Sequence, residues 1–489
     1  MRAPGGTMIT KRVLAMLTAV IVLTAATARA ADKAAQIDAL VKQYVELGQF
    51  NGAVLVAENG TVILEKGYGL ANMEWGIPNA PDTKFRIGSI TKQFTSALVM
   101  QLVEEGTLSL DARLSDLLPG YRKDTGDRVT LRQLLNHTSG IPSYTDSPSF
   151  RAEVSRDPYT ANEMVTKLCS GDLQFEPGST FRYNNCGYVL LGAIIEKATG
   201  KPYEAALKQR ILDPAGMADT GYDHAAAVLP RRAQGYERTP GGVVNAPYLD
   251  MSLPYAAGAM YSTVRDLYRW DRALLGEKIL SAKAKAATWE PGLQGYGFGW
   301  GIATAPIGPG RAERTVISHG GGINGFATSI ARVPADGNLV VFLCNTGAAR
   351  YEAMSAGVWD VLYGRTPAAP KRPIGEVLAA VAMNDGAEAA VARYRELKAT
   401  EADRYDFHER ELNNVGYQLL AAGKVDDAVA VFTLNVELFP TSSNPYDSLG
   451  EALAAAGKKN DAIKAYAKSL ELDPSNLNAI DQLAKLAKQ

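Results

Sequence analysis

The chain has 489 residues, of which 46% are apolar and 21% charged, and its formal net charge is −1. That composition is ordinary for a globular protein, and the near-neutral balance without a basic cluster gives nucleic acid no footing. The length exceeds what a single core serves, so two or three domains are expected.

Lys11 and Arg12 precede the apolar run Val13 to Leu23, and the segment ends in Ala28-Arg29-Ala30. A positive start, a short apolar stretch and an Ala-x-Ala site predict a secretory signal peptide over residues 1–30. The run is short for a membrane anchor, which needs about 20 apolar residues. Export with cleavage, to the periplasm or the medium, is therefore expected, with no stable membrane insertion. Ala34 to Leu47 then reads as a helix. Gly52 to Ala57 and Thr61 to Glu65 flank Asn59-Gly60, which predicts a β-hairpin.

Next comes Phe85-Arg-Ile-Gly-Ser89-Ile-Thr-Lys92-Gln-Phe94. Phe94, Leu98 and Leu102 recur every four positions, with Ala97 and Val103 widening the stripe, so a helix begins here. Gly106 is its C-terminal cap. Residues three apart share a helix face, which puts the Ser89 hydroxyl and the Lys92 amine on one side. Gly88 allows a sharp turn before the helix, and the free N–H groups of the helix start lie beside Ser89. A serine becomes a nucleophile when a neighbour takes its proton, and a lysine can do so if burial lowers its pKa from about 10.4. The alternative for this pair alone is an N-cap serine and a solvated first-turn lysine.

Leu134-Leu-Asn-His137-Thr-Ser-Gly140-Ile-Pro reads as a helix end with a capping turn, and His137 as structural. Phe181-Arg-Tyr183-Asn184-Asn185 opens an apolar helix from Cys186 to Ala198; among the 22 tyrosines, Tyr183 alone begins Tyr-x-Asn. A phenol near cations can relay a proton, and the Asn185 amide can hold both a lysine and a substrate. Ser318-His319-Gly-Gly-Gly322-Ile-Asn-Gly325 enters a strand, where glycines admit close backbone approach and N–H groups can hold an oxyanion. Ala327 to Val333, the turn Pro334-Ala-Asp-Gly337 and Leu339 to Cys344 make a second hairpin. Hairpins at both ends with helices between predict an α+β fold, an antiparallel sheet flanked by helices plus a helical lobe, with the serine where the two meet.

Thr366 to Pro373 is proline-rich and reads as a linker. Beyond it, Gly416, Gly423, Ala428, Phe432 and Pro440 recur as Gly450, Gly457, Ala462, Tyr466 and Pro474, each 34 residues later. That period and pattern resemble tetratricopeptide repeats. Gly386, Ala390 and Tyr394 look like a degenerate first unit. An all-α solenoid with a concave surface for a protein or peptide partner is expected. Cys169 and Cys186 can pair or stay free, and Cys344 reads as a small buried hydrophobe. No Cys/His cluster has metal-ligand spacing.

Ser89-Ile-Thr-Lys92, Tyr183-Asn-Asn185 and His319-Gly-Gly321 resemble, in order and spacing, the three motifs of the serine β-lactamase and penicillin-binding protein superfamily. The nearest branch is the class C β-lactamase-like serine hydrolases; Leu134 to Pro142 is also similar to a stretch of that branch. The resemblance spans about Gln36 to Tyr363. It implies that Ser89 attacks and is acylated, and that Lys92 and Tyr183 share general-base and general-acid duty. It implies that Asn185, His319 and Gly321 bind substrate, that the N–H groups of Ser89 and Gly322 form the oxyanion hole, and that no metal or cofactor is needed. Candidate substrates are a D-amino-acid peptide, a β-lactam or a short ester. Class C β-lactamases carry a lysine where this chain has His319, which argues against efficient β-lactam hydrolysis. The resulting division is a signal peptide (1–30), a hydrolase domain (31–365), a linker (366–375) and repeats (376–489). Two rivals remain to compare. An α/β-hydrolase would need a Gly-x-Ser-x-Gly elbow, which the chain lacks; a non-catalytic sensor or scaffold would use the repeats alone.

Overall fold

The computed structural model describes residues 30–488 except 148–149, 240–241, 348 and 475. The signal-peptide reading thus lies outside the described residues. Two compact units divide the chain, Met1–Arg238 with Val243–Ala369 and Thr239–Gly242 with Pro370–Gln489. Among the described residues, no helix is long and apolar enough to cross a membrane.

The first unit is built on a six-stranded antiparallel sheet. Its strands are β1 (Gly52–Glu58), β2 (Thr61–Tyr68), β3 (Gly301–Ala305), β4 (Arg314–Ile323), β5 (Phe326–Val333) and β6 (Asn338–Cys344), in the order β3-β4-β5-β6-β1-β2. Late strands thus close against early ones, with Leu55 opposite Val341 and Val56 opposite Val340. The β1–β2 turn uses Asn59 (φ 48) and Gly60 (φ 80), the paired left-handed conformation that matches strand twist. The β5–β6 turn runs through Pro334–Asp336 to Gly337.

Alternation along β1 divides the core between the sheet's two faces. Ala53, Leu55 and Ala57 pack into the cluster that holds Phe94, Leu98 and Trp270. Val54 and Val56 pack on the other face against Ile37, Val41 and Val358. Those partners come from α1 (residues 30–46), α2 (Thr91–Glu104), α4 (Val264–Leu275) and α5 (Tyr351–Leu362); α3 spans Asn185–Thr199. With both faces covered, every residue of β6 is buried. Truncating such a residue, for example Leu343→Ala, costs roughly 2–5 kcal/mol.

One expectation changes here. The sequence suggests a helix with an apolar stripe after Ser89, but α2 is buried on all sides, its polar Thr91, Gln93, Thr95 and Ser96 included. Most of those polar groups find partners: Thr95 Oγ1 donates to Ala256 O at 2.6 Å, and Gln93 Oε1 accepts from Trp270 at 3.1 Å, while the Gln93 amide nitrogen is left without a partner. The helix is the central post of the unit, held by hydrogen bonds as well as by packing. Cys169 and Cys186 form a disulfide, and Cys344 is buried and free.

The second unit is helical. It comprises α6 (Ile374–Asp385), α7 (Ala387–Thr400), α8 (Glu409–Ala421), α9 (Val425–Leu438), α10 (Ser443–Ala455), α11 (Lys459–Leu472) and α12 (Leu477–Lys488). The α8–α9 and α10–α11 hairpins start 34 residues apart, at 409 and 443 and at 425 and 459. The repeated glycines have mechanical causes. A Cβ on Gly416 would come within 2.4 Å of the Phe432 ring, and one on Gly450 within 2.8 Å of Tyr466. Gly423 and Gly457 sit at φ 74 and 73 in the turns, a conformation glycine adopts without strain.

Candidate active site

Ser89 lies in a single 3₁₀ turn, Gly88–Ile90, that leads into α2 rather than on the α-helix itself. Gly88 has φ +51, and a Cβ there would meet the Gly322 nitrogen at 3.0 Å. The turn therefore needs glycine twice over, for its backbone and for the approach of β4.

Lys92 is fully buried. Its Nζ lies 3.1 Å from Ser89 Oγ, 2.9 Å from Asn185 Oδ1 and 2.9 Å from Ala257 O. The two carbonyl oxygens can only accept. An ammonium could donate to all three oxygens, and a neutral amine has two N–H groups for the carbonyls and one lone pair for the serine O–H, so the contacts suit either form and burial selects between them. Burial drives the Lys92 pKa well below its usual 10.5, and none of these three partners is a carboxylate that would restore the charge.

Burial pushes the pKa of the Tyr183 phenol above the usual value of 10, although the neighbouring Ser89 hydroxyl acts to lower it. Tyr183 is therefore a neutral phenol, although 37% of the residue remains exposed. The Lys92 nitrogen is 4.7 Å from its ring centroid. Asn184 caps α3 by accepting from the Gly187 N–H at 3.1 Å. That cap turns the next residue inward, where Asn185 bonds Lys92 and donates to Thr145 Oγ1 at 3.2 Å.

The β4 segment is more selective than the sequence reading. β3 pairs with β4 only as far as Ser318, so the glycine run beyond it has an open edge beside the serine turn. Gly322 lines the cavity at Ser89, and a Cβ there would meet nothing within 4 Å. A Cβ on Gly321 would lie 2.0 Å from Ile87 O and 2.3 Å from Thr328 Oγ1. Gly321 is thus where β4 packs on the segment before Ser89, and Gly322 is the one that faces the cavity.

His319 is nearly buried, at 9% exposure, and its ring lies 6.1 Å from that of Tyr183. Its Nδ1 donates to Gly320 O at 2.6 Å, and its Nε2 accepts from the Tyr296 hydroxyl at 2.8 Å. Burial, the leading cause, lowers its pKa to about 4. The substrate contact expected of His319 is therefore not made by an open, charged imidazole: the ring is neutral and both nitrogens are engaged inside the protein. His137 sits just past the short helix Leu131–Leu135 at φ 61 and accepts from the Asn184 N–H through Nδ1 at 3.1 Å. Its ring lies 4.3 Å from that of Tyr183, so this expected capping residue also backs the site.

The cavity at Ser89 has a volume of about 140 Å³ and an apolar wall that includes Phe150, Leu249, Leu253 and Ile323. Among the described side chains, no lysine or arginine lines it. Four contributors escaped the sequence reading: the Ala257 carbonyl, Ser143, whose Oγ accepts from the Asn185 N–H at 3.3 Å, Thr145, and Tyr296. The last had a signal. Tyr296-Gly-Phe-Gly-Trp-Gly301 alternates aromatics with glycine, and a Cβ on Gly299 would lie 2.7 Å from Lys92 O. Among the described residues, no group of His, Cys, Asp and Glu could hold a metal ion.

The family profile described as Beta-lactamase matches residues 37–362. The chain is 30% identical over 370 residues to penicillin-binding protein 4* of Bacillus subtilis, covering 70% of this chain and 79% of that protein. It is 31% identical over 265 residues to the putative penicillin-binding protein PbpX of the same organism, covering 54% of this chain and 65% of the relative. Among solved structures it is similar to the D-amino acid amidase of Ochrobactrum anthropi SV3 complexed with D-phenylalanine. There the TM-score is 0.60 at 27% identity, over 68% of this chain and 99% of the amidase.

Proposed function

This chain belongs to the Beta-lactamase family, and from that premise we propose that it is an exported serine hydrolase working through an acyl-enzyme on Ser89. The observation that carries the reading is the Lys92 amine, fully buried, 3.1 Å from the Ser89 hydroxyl. As Ser89 Oγ attacks a carbonyl carbon, its proton passes to the Lys92 lone pair. The developing oxyanion is held by the N–H groups of Ser89 and Gly322. Lys92 then returns the proton through the Tyr183 phenol to the leaving group, and Asn185 positions the acyl portion. Water, activated by the same pair, releases the acid. Lys92 is the first base in this scheme, because Tyr183 is held as a phenol by burial and cannot accept a proton.

The substrate class is an amide or short ester with an uncharged, apolar acyl side chain, of which a D-amino-acid amide is the favoured example. Two observations support it: the apolar wall without a cation among its described side chains, and the resemblance to a D-amino acid amidase. A β-lactam or a peptide ending in a free carboxylate would find no cationic partner among the described side chains of this pocket, since His319 is neutral and engaged. The Cys169–Cys186 disulfide suits an oxidising compartment outside the cytoplasm and supports export. The helical hairpins of 34-residue period are read as tetratricopeptide repeats that hold a protein or peptide partner.

The test is side-by-side turnover of D-phenylalanine amide, p-nitrophenyl butyrate and nitrocefin, with mass spectrometry of the trapped intermediate. An acyl adduct on the peptide containing Ser89, with the amide or ester turned over faster than nitrocefin, is expected. A folded wild type that is never acylated overturns the enzyme reading and leaves a sensor with its repeats as the working part.

A further inference from the structure

A second cavity in the first unit, about 550 Å³ in volume, has a chemistry unlike that of the Ser89 pocket. One segment separates the two. Along residues 248–258, Leu249, Leu253 and Ala257 line the serine pocket, whereas Tyr248, Asp250 and Tyr255 line the second cavity. They are therefore back to back and distinct.

The second cavity is walled by aromatic rings. Tyr203, Tyr222 and Tyr255 form a corner, with ring centroids 5.3 Å (Tyr203–Tyr255), 6.4 Å (Tyr203–Tyr222) and 6.5 Å (Tyr222–Tyr255) apart. Tyr248, 51% exposed, stands at its mouth. Tyr255 is 8% exposed and held at φ +36. Its hydroxyl has no partner at hydrogen-bonding geometry, and the Glu196 carboxylate is the leading charge acting on it. A buried phenol left in this state at a cavity wall is a group that a ligand could satisfy.

The charge is one-sided. Four carboxylates line the cavity and, among the described residues, no lysine or arginine does. Asp223 is already neutralised by Arg86 and Arg232, and Glu204 pairs with His224 at 2.5 Å. Glu196 and Asp250 have no cationic partner among the described residues. Glu196 accepts the Tyr203 N–H at 2.8 Å, and Asp250 accepts from Ser252 and Tyr248. Aromatic faces and uncompensated carboxylates around one space attract a cation with an apolar body, since ring quadrupole and carboxylate act with the same sign. The volume suits a small organic molecule.

We propose that this cavity is a binding site for an organic cation, an ammonium group on a small apolar frame, separate from the Ser89 pocket. The test is calorimetric titration of the full chain with choline chloride at constant ionic strength, beside its uncharged carbon isostere 3,3-dimethylbutan-1-ol. Choline is expected to bind at least about tenfold more tightly than the isostere. Tyr248→Ala and Asp250→Asn should each weaken choline severalfold, and Ser89→Ala should not. Tyr248 is half-exposed, so its variant tests the site without endangering the fold. The proposal is overturned if folded wild type takes up no choline, if the isostere binds equally well, or if binding survives both Tyr248→Ala and Asp250→Asn unchanged.

Discussion

The Lys92 nitrogen reaches the Ser89 hydroxyl at 3.1 Å while its other two contacts, Asn185 Oδ1 and Ala257 O, can only accept. With burial favouring the neutral amine, this arrangement leaves the lone pair of Lys92 for the serine O–H. Lys92→Arg replaces the neutral amine with a permanent cation that can still bond the same oxygens but cannot give up a proton at any accessible pH. It is expected to lose acylation as completely as Ser89→Ala, by about 10³-fold or more. Fluorophosphonate labelling of the folded variants checks this; a Lys92→Arg protein that labels at a rate near wild type would remove Lys92 from the chemistry.

The same burial fixes a pH dependence. A base must be unprotonated, so kcat/KM rises with pH through the Lys92 pKa, which desolvation places well below 10.5. The Tyr183 pKa moves the other way, so no descending limb from phenol ionisation is expected below pH 10. Tyr183→Phe should lower the plateau by about 10²-fold or more and leave the position of the rising limb nearly unchanged. A pH–rate profile of the variant against wild type decides it, and a limb that vanishes with the phenol would reassign the first base to Tyr183.

How much of this was legible in the sequence follows from what each residue depends on. Ser89 and Lys92 were visible because their relation is local: three residues on one turn. The hairpins were visible because Asn59-Gly60 and Pro334 to Gly337 carry turn chemistry in the chain itself. The charge state of His319 was not visible, because it depends on burial, and its Nε2 partner Tyr296 lies 23 residues away in the chain. The all-round burial of α2 was hidden for a related reason: Thr91, Gln93, Thr95 and Ser96 look solvent-facing until their partners on other elements are known. Ala257 contributes only a backbone carbonyl, which no side-chain pattern can announce.

His319 gives a prediction about stability. Its folded pKa of about 4 lies below the ordinary 6.5, so the folded state binds fewer protons than the unfolded one. Stability tied to the neutral ring is fully present above pH 6.5 and drains away as pH falls from 6.5 to about 4. The shift corresponds to about 3 kcal/mol at the acid end. His319→Gln should therefore flatten the fall in stability between pH 6.5 and 4 relative to wild type. Urea midpoints across that range measure it; parallel curves for the two proteins would mean that the ring is not held neutral.

The two adjacent glycines of β4 make opposite predictions from one backbone. Gly321→Ala drives a Cβ to 2.0 Å from Ile87 O and 2.3 Å from Thr328 Oγ1, and the Ile87 backbone cannot retreat without moving the turn that carries Ser89. A loss of about 1–3 kcal/mol is expected from such overpacking, with acylation falling as the turn shifts. Gly322→Ala adds its methyl to open space at the cavity wall and keeps the backbone N–H. Its unfolding midpoint should match wild type, while KM changes for substrates with bulky acyl groups. Thermal unfolding together with steady-state kinetics on both variants checks the pair. If Gly322→Ala were the destabilised one and Gly321→Ala the tolerated one, β4 would be facing Ser89 one residue out of register, and the oxyanion donor assigned to Gly322 would fall with it.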